Sequence, residues 1–424
     1  MQRQEKPTGQ ATPVRDSKGT SSAAANLAGD AFQRIDSLTS LRFFAAFAVF
    51  THHFNGLSAG GGVWHIPALF PYSTMGGNGV TFFFVLSGFL LTWSHRSGRS
   101  LREHYWRRIG RIWPAHLVAG ALVIWVFYRV GTEQTDWFST LTSLFLVQTW
   151  FPHVTPVLPG NPVTWTLSVE VLFYALFPLA IRRVRGLRTR SLVLLSALGL
   201  VGMCAVQWGS DQWLSAGCAS WVMRHPLVHL PQFFLGMTCA LALQRGHRIP
   251  IRPVVAVLLL CVYTVAYTRG GEWIPTALRP QMDYSLRPTV AILSMLLIAA
   301  CVQGEQAGRC RVLTRKPLVV LGAWSYAFYL VHQAVNQYIR LHWPHRMHDS
   351  DEAAIFLLGT AVLALAIAGA LYTWVEEPAQ RWWASHLPQS RRANPPLSRQ
   401  KAHGKHPQLP CASAAKAASA GGES

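Results

Sequence analysis

The chain has 424 residues, of which only 13% are charged and 12% aromatic, with 17 tryptophans. A soluble protein of that length would form two or three domains. Apolar runs of membrane-spanning length recur along the whole chain instead, which excludes that class and predicts an all-α polytopic integral membrane protein. The net charge of +20 does not mark a nucleic-acid binder, because the basic residues sit in short loops between apolar runs and in two tails, and 32 of the 38 are arginine.

Residues 1–35 are polar, lack the apolar core of a cleavable signal peptide and read as a disordered tail. Spanning helices are expected at 38–56, 78–95, 113–130, 163–181, 191–208, 225–243, 251–268, 288–303, 317–340 and 353–375. The apolar piece 139–151 is too short to span and reads as interfacial or re-entrant. Residues 381–424, rich in Ala, Ser, Pro and basic residues, read as a second disordered tail. The membrane domain is thus 36–380.

Charge alternates between the loops. Loops 96–111, 182–190, 244–252 and 309–316 are rich in arginine, whereas 57–77, 131–162 and 209–223 hold no Lys or Arg, and 269–287 and 341–352 balance Arg with acids. This is the positive-inside pattern of about ten spans in the cell membrane with both termini cytoplasmic. The seven cysteines form no CxxC pair and read as small buried residues.

The first span carries Arg42 and His53, eleven residues apart. On a helix that is ~16.5 Å of rise and about three turns, so both face one side. Glu170 lies near the middle of the fourth span, and Ser325, Tyr329 and His332 follow one face of the ninth. A single such residue reads as a snorkelling or packing group. Together they point to a wet chamber shared by spans one, four and nine, because ionisable groups inside spans face cavities or partners. The loop segment LHWPHRMHDSD (341–351) holds metal-capable His342, His345, His348, Asp349 and Asp351, but spacings of three spread around a helix and Pro344 interrupts it. No metal is assigned.

The segments RIDSLTSLRFFAAFAVFTHH, GGNGVTFFFVLSGFLL (76–91), YWRRIGRIWPAH (105–116), WTLSVEVLFYALFP, SYAFYLVHQ and VEEP (375–378) resemble, in this order, the motifs of the membrane-bound acyltransferase family 3. The resemblance covers roughly 36–380. It implies O-acylation: an acyl group moves from a cytoplasmic acyl-CoA, a co-substrate and not a bound cofactor, to a hydroxyl of an acceptor. Arg42, Arg108 and Arg111 would bind the donor, since guanidinium forks suit CoA phosphates. His53 would be the general base or a transient acyl carrier, imidazole having an ordinary pKa of about 6.5, and Glu170 would orient it or stabilise the imidazolium. Tyr174, Ser325, Tyr329 and His332 would bind the acceptor or line the chamber. Ser87 and Gly88 are expected to serve close helix packing.

The opening helix looks most like the branch that acylates macrolides or their sugars. An envelope polysaccharide or glycolipid sugar is the second acceptor class. A proton-coupled transporter is the rival from another class, since intramembrane Arg, His and Glu also serve proton coupling, but no inverted repeat is visible. A non-catalytic scaffold is the third. The oligomeric state is not legible.

Overall fold

The first helix, α1 (Asp36–Gly56), is capped by a carboxylate from far along the chain. Glu305 accepts the backbone N–H of Asp36 at 3.0 Å and that of Ser37 at 2.8 Å, and the Ser37 hydroxyl at 2.5 Å. These are donors that a helix cannot satisfy internally, and the negative charge also suits its N-terminal dipole. The computed structural model describes residues 35–56, 70–96, 100–130, 136–154, 161–270, 273–342 and 350–387. The expected tails lie almost entirely outside the described residues.

The chain continues through α2 (Phe70–Gly76), α3 (Gly79–Trp93), α4 (Leu101–Ile124), the short α5 (Trp137–Leu144), α6 (Trp165–Val184) and α7 (Thr189–Trp213). It then forms a short α8 (Ala216–Arg224), α9 (Leu230–Gln244), α10 (Pro253–Arg269), α11 (Arg279–Gln306), α12 (Lys316–His342), α13 (Ser350–Leu371) and α14 (Glu377–Ser385). A wider π-type turn, Tyr372–Glu376, joins the last two. No strand occurs among the described residues.

Eight helical segments of the described residues are long and apolar enough to cross a membrane. Helices also stand at the other two expected spans. In α1 the polar Asp36, Arg42, His52 and His53 dilute the apolar character of its 21 residues, and α10 is apolar but only 17 residues long. The chain is a multi-pass membrane protein.

Several boundaries differ from the expected ones, and two of the differences bear on the arginine-rich end. The arginine-rich segment 96–111 is mostly helix, because Ser100 caps α4 by accepting the Glu103 N–H at 3.1 Å and the S-x-x-E pattern starts a helix there. Arg108 and Arg111 therefore lie on α4, one turn apart. At the other end α14 runs past residue 380 to Ser385 and docks on α4: a Cβ at Gly110 would meet the Trp383 ring at 2.3 Å, and the Trp106 indole donates to the Trp383 carbonyl at 2.9 Å.

Close backbone crossings hold the site helices in register. A Cβ at Gly88 on α3 would fall 1.9 Å from the Phe233 carbonyl oxygen of α9, and one at Gly236 on α9 would fall 2.0 Å from that of Val85. Small residues permit this approach, which dispersion rewards in lipid. Gly322 does the same between α12 and α1, against the Thr39 carbonyl at 2.0 Å. Aromatic packing of Phe50 on Phe328, 5.6 Å between centroids, continues that α1–α12 contact towards the histidines.

Candidate active site

Two of the cavities along α1 hold its Arg42 and its histidines. The first, about 250 Å³, is lined by Arg42 of α1, Arg108 and Arg111 of α4, Glu170 and Tyr174 of α6, and Ser325 and Tyr329 of α12, among others. The second, about 610 Å³, is lined by His52 and His53 of α1, Asp211 of α7, Arg224 of α8, and Asp283 and Arg287 of α11, among others. Val80, Phe84 and Tyr329 line both, so the cavities share one wall. The eleven-residue spacing of Arg42 and His53 places one in each.

The first cavity carries three guanidinium groups and one carboxylate. Glu170 accepts hydrogen bonds from the Ser87 hydroxyl at 2.8 Å and the Tyr174 hydroxyl at 2.9 Å, both on Oε1. The Arg108 guanidinium sits over the Tyr174 ring, 5.2 Å from its centroid, in cation–π contact. Arg42 and Arg111 interact electrostatically with Glu170 and with Glu376 of the π-type turn. One Glu376 oxygen accepts from the Gln380 amide at 3.1 Å, and the other is buried without a hydrogen-bond partner. The excess of cationic forks suits an anionic ligand with planar or tetrahedral oxygen groups.

The second cavity contains the two titratable rings that end α1. His52 Nδ1 lies 3.0 Å from the Ser73 carbonyl oxygen, which ties α1 to α2. His53 Nδ1 lies 3.1 Å from His332 Nε2, and His332 Nδ1 lies 2.8 Å from the Tyr329 carbonyl oxygen. A carbonyl only accepts, so His332 carries its proton on Nδ1 and presents a lone pair at Nε2. The proton shared between the rings then belongs to His53 Nδ1. His53 Nε2 is left with a lone pair, on a ring that lines the cavity. His332 is fully buried, and Tyr329 is fixed by its hydroxyl, 2.9 Å from Thr166 Oγ1 and 3.1 Å from the Val163 carbonyl.

The sequence-predicted residues thus divide. Arg42, Arg108, Arg111, Glu170, Tyr174, Ser325 and Tyr329 meet in the first cavity. His53 stands in the second with His332 behind it. The expected contact of Glu170 with His53 is not among the hydrogen bonds of the described residues; the ring partner of His53 is His332. Gly88 packs as expected, but Ser87 is a hydrogen-bond donor to Glu170 and not a packing residue.

The sequence alone did not mark Glu376, at the end of the last expected span, nor Asp211, Asp283 and Arg287, in expected loops, nor Arg224, between an expected loop and span, of which the last four line the second cavity. Arg287 lies within α11, which begins at Arg279, nearer the N-terminus than the expected start at 288. A carboxylate at the foot of a long apolar run was the signal available for Glu376. Of the metal-capable loop, His342 stacks on Tyr338 at 4.1 Å, while His345, His348 and Asp349 lie outside the described residues.

A family model described as an acyltransferase domain matches residues 35–375. The chain is 32% identical over 395 residues to the acyltransferase MdmB of Streptomyces mycarofaciens, which covers 85% of this chain and 96% of that protein. It is 26% identical over 336 residues to the putative peptidoglycan O-acetyltransferase YrhL of Bacillus subtilis strain 168, covering 71% of this chain and 48% of the relative. A third relative, an O-acetyl transferase of Shigella phage Sf6, is 27% identical over 246 residues, 55% of this chain and 71% of that one. No solved structure matches. The helices that carry the two cavities all fall within the matched region, and the chain is a multi-pass membrane enzyme of the acyltransferase 3 family.

Proposed function

We propose that this acyltransferase moves an acyl group from acyl-CoA to a hydroxyl of a macrolide or sugar acceptor, with His53 as general base. The observation that carries the reading is the ring pair, His53 Nδ1 to His332 Nε2 at 3.1 Å, beside a wall shared with an arginine-lined cavity. Family membership sets aside the transporter and scaffold readings.

The donor enters the first cavity, where Arg42, Arg108 and Arg111 hold its anionic groups. The acceptor enters the second, whose volume lies in the range of small-molecule sites. Its hydroxyl proton passes to His53 Nε2 as the oxygen attacks the thioester carbonyl. The new C–O bond forms, the C–S bond breaks, and the imidazolium returns the proton to the departing thiolate. His332 holds the His53 ring through Nδ1, so that Nε2 is the free base, in the manner of an orienting partner. Glu170 lies in the donor cavity in this reading, where it offsets guanidinium charge and fixes Tyr174 beneath Arg108.

The loop charges support ten spans with both termini cytoplasmic, α1 and α10 included. The donor cavity then opens near the arginine-rich, cytoplasmic end. The macrolide acceptor rests on the likeness of the opening helix to that branch of the family. A sugar of the cell envelope is the second acceptor class, favoured by the peptidoglycan relative, of whose length the chain spans about half. Membranes containing the wild type, given labelled acetyl- or propionyl-CoA and a panel of macrolides and sugars, test this by mass spectrometry. Acylated macrolide or sugar is expected; acyl transfer to neither class overturns the acceptor assignment.

A further inference from the structure

A third cavity, about 230 Å³, adjoins the donor cavity and shares Leu91, Ser94 and Arg108 with it. It is lined by Arg182 and Arg185 at the end of α6, His95 after α3 and His104 on α4. No carboxylate is among its lining residues in the described part of the chain. The acid nearest in sequence on α4, Glu103, is paired with Arg107 at 3.2 Å. Arg182 and Arg185 are three residues apart, so they share a helix face. Arg182 and Arg185, both solvent-exposed, close the C-terminal end of α6, whereas Arg108 comes from α4, so three arginines from two helices line one space. His104 Nε2 lies 3.1 Å from the Tyr174 carbonyl, and its ring stacks on Phe177 at 5.6 Å, which makes the floor. The first turn of α4 also opens here, through Ser100 and Leu101. Its remaining N–H groups and dipole add to the positive field.

Arginines at the end of a spanning helix serve topology in any membrane protein. That role requires neither a shared cavity nor the exclusion of carboxylates from its lining. Both features fit a ligand with several phosphates whose uncharged arm runs on past Arg108. We propose that this cavity seats the phosphorylated nucleotide of acyl-CoA, with Arg182 and Arg185 binding its phosphates, while the pantetheine arm continues past Arg108 into the donor cavity. The inference rests on the donor reading above. It adds two binding residues that lie outside the motif segments and divides donor recognition into a nucleotide part and a thioester part.

The test compares three thioester donors on the full chain in proteoliposomes: acetyl-CoA, acetyl-3′-dephospho-CoA and acetyl-phosphopantetheine. For the wild type, KM is expected to rise about tenfold for each charged contact the shortened donor gives up. In the Arg182→Ala/Arg185→Ala variant the KM ratio between phosphopantetheine and CoA thioesters is expected to collapse towards one. The variant Arg182→Gln/Arg185→Gln, which keeps side-chain length, should collapse it too and separates charge from packing. A variant whose ratio stays at the wild-type value overturns the proposal. A wild type that uses phosphopantetheine and CoA thioesters equally well also overturns it. A wild type that uses no CoA thioester, yet acylates acceptor in cells, overturns the donor reading itself.

Discussion

His53 on α1 and His332 on α12 are joined ring to ring at 3.1 Å, and the Tyr329 carbonyl 2.8 Å beyond sets the direction of their protons. The two residues are 279 apart in sequence, and their meeting depends on the Gly322 crossing and on Phe50 packed against Phe328. In the proposed reaction His332 acts as a positioning residue. His332→Ala is expected to lower kcat about tenfold or more, because the His53 N–H loses its buried acceptor, with KM for the donor little changed. His332→Gln offers an amide oxygen as acceptor and should recover part of the loss. Equal kcat in both variants would show that the hydrogen bond plays no part.

Arg111 lines the first cavity, the proposed donor site, and interacts with Glu170 and Glu376. Arg111→Ala and Arg108→Ala should each raise KM for acyl-CoA about tenfold, the worth of a charge-assisted contact. Initial-rate kinetics across donor concentration check this, and unaltered KM in both variants would contradict the donor assignment.

Glu376 is buried beside Arg42 and Arg111, with one oxygen lacking a hydrogen-bond partner. Removing one member of a buried charge cluster leaves the others uncompensated and costs about 3 kcal/mol. Glu376→Ala should therefore lower the thermal unfolding midpoint of the detergent-solubilised protein, followed by loss of the monodisperse peak. Glu377→Ala is the comparison: its partner Arg381 is exposed, at 2.7 Å, and such pairs contribute about 1 kcal/mol or less.

Gly88→Ala should destabilise the α3–α9 crossing, since the added methyl would meet the Phe233 carbonyl at 1.9 Å and the backbones must separate. Overpacking of this kind costs about 1–3 kcal/mol. Gly202→Ala on α7, with nothing within 4 Å of the new atom, should be neutral or slightly stabilising. A thermal shift measurement on the pair is expected to show a lowered midpoint for Gly88→Ala only; equal midpoints would contradict the crossing as a source of stability.

Much of this architecture was legible in the sequence, for physical reasons that differ by element. Apolar runs located the helices because lipid leaves the backbone few alternatives. The segment that carries Arg42, His52 and His53 was among the less span-like: these half-buried polar residues lower the hydropathy of α1. The eleven-residue spacing of Arg42 and His53 was readable from helical geometry. Their division between two cavities was not, because the wall between them is Val80, Phe84 and Tyr329, apolar or aromatic residues from two other helices. The partner of His53 was missed for the same reason. Periodicity places Ser325, Tyr329 and His332 on one face, but only the crossing of α12 with α1 turns His332 towards His53 and leaves Glu170 to Ser87 and Tyr174.

The central claim is that His53 takes the proton from the acceptor hydroxyl. It is tested most directly by single-turnover transfer of labelled acetyl from acetyl-CoA to an accepted macrolide or sugar, in wild type and His53→Ala reconstituted at equal amounts. The account predicts a rate reduced by about 10²–10⁴ in the variant, with acetyl-CoA binding retained, since the donor cavity lacks His53. Transfer at the wild-type rate by a folded His53→Ala protein would contradict it.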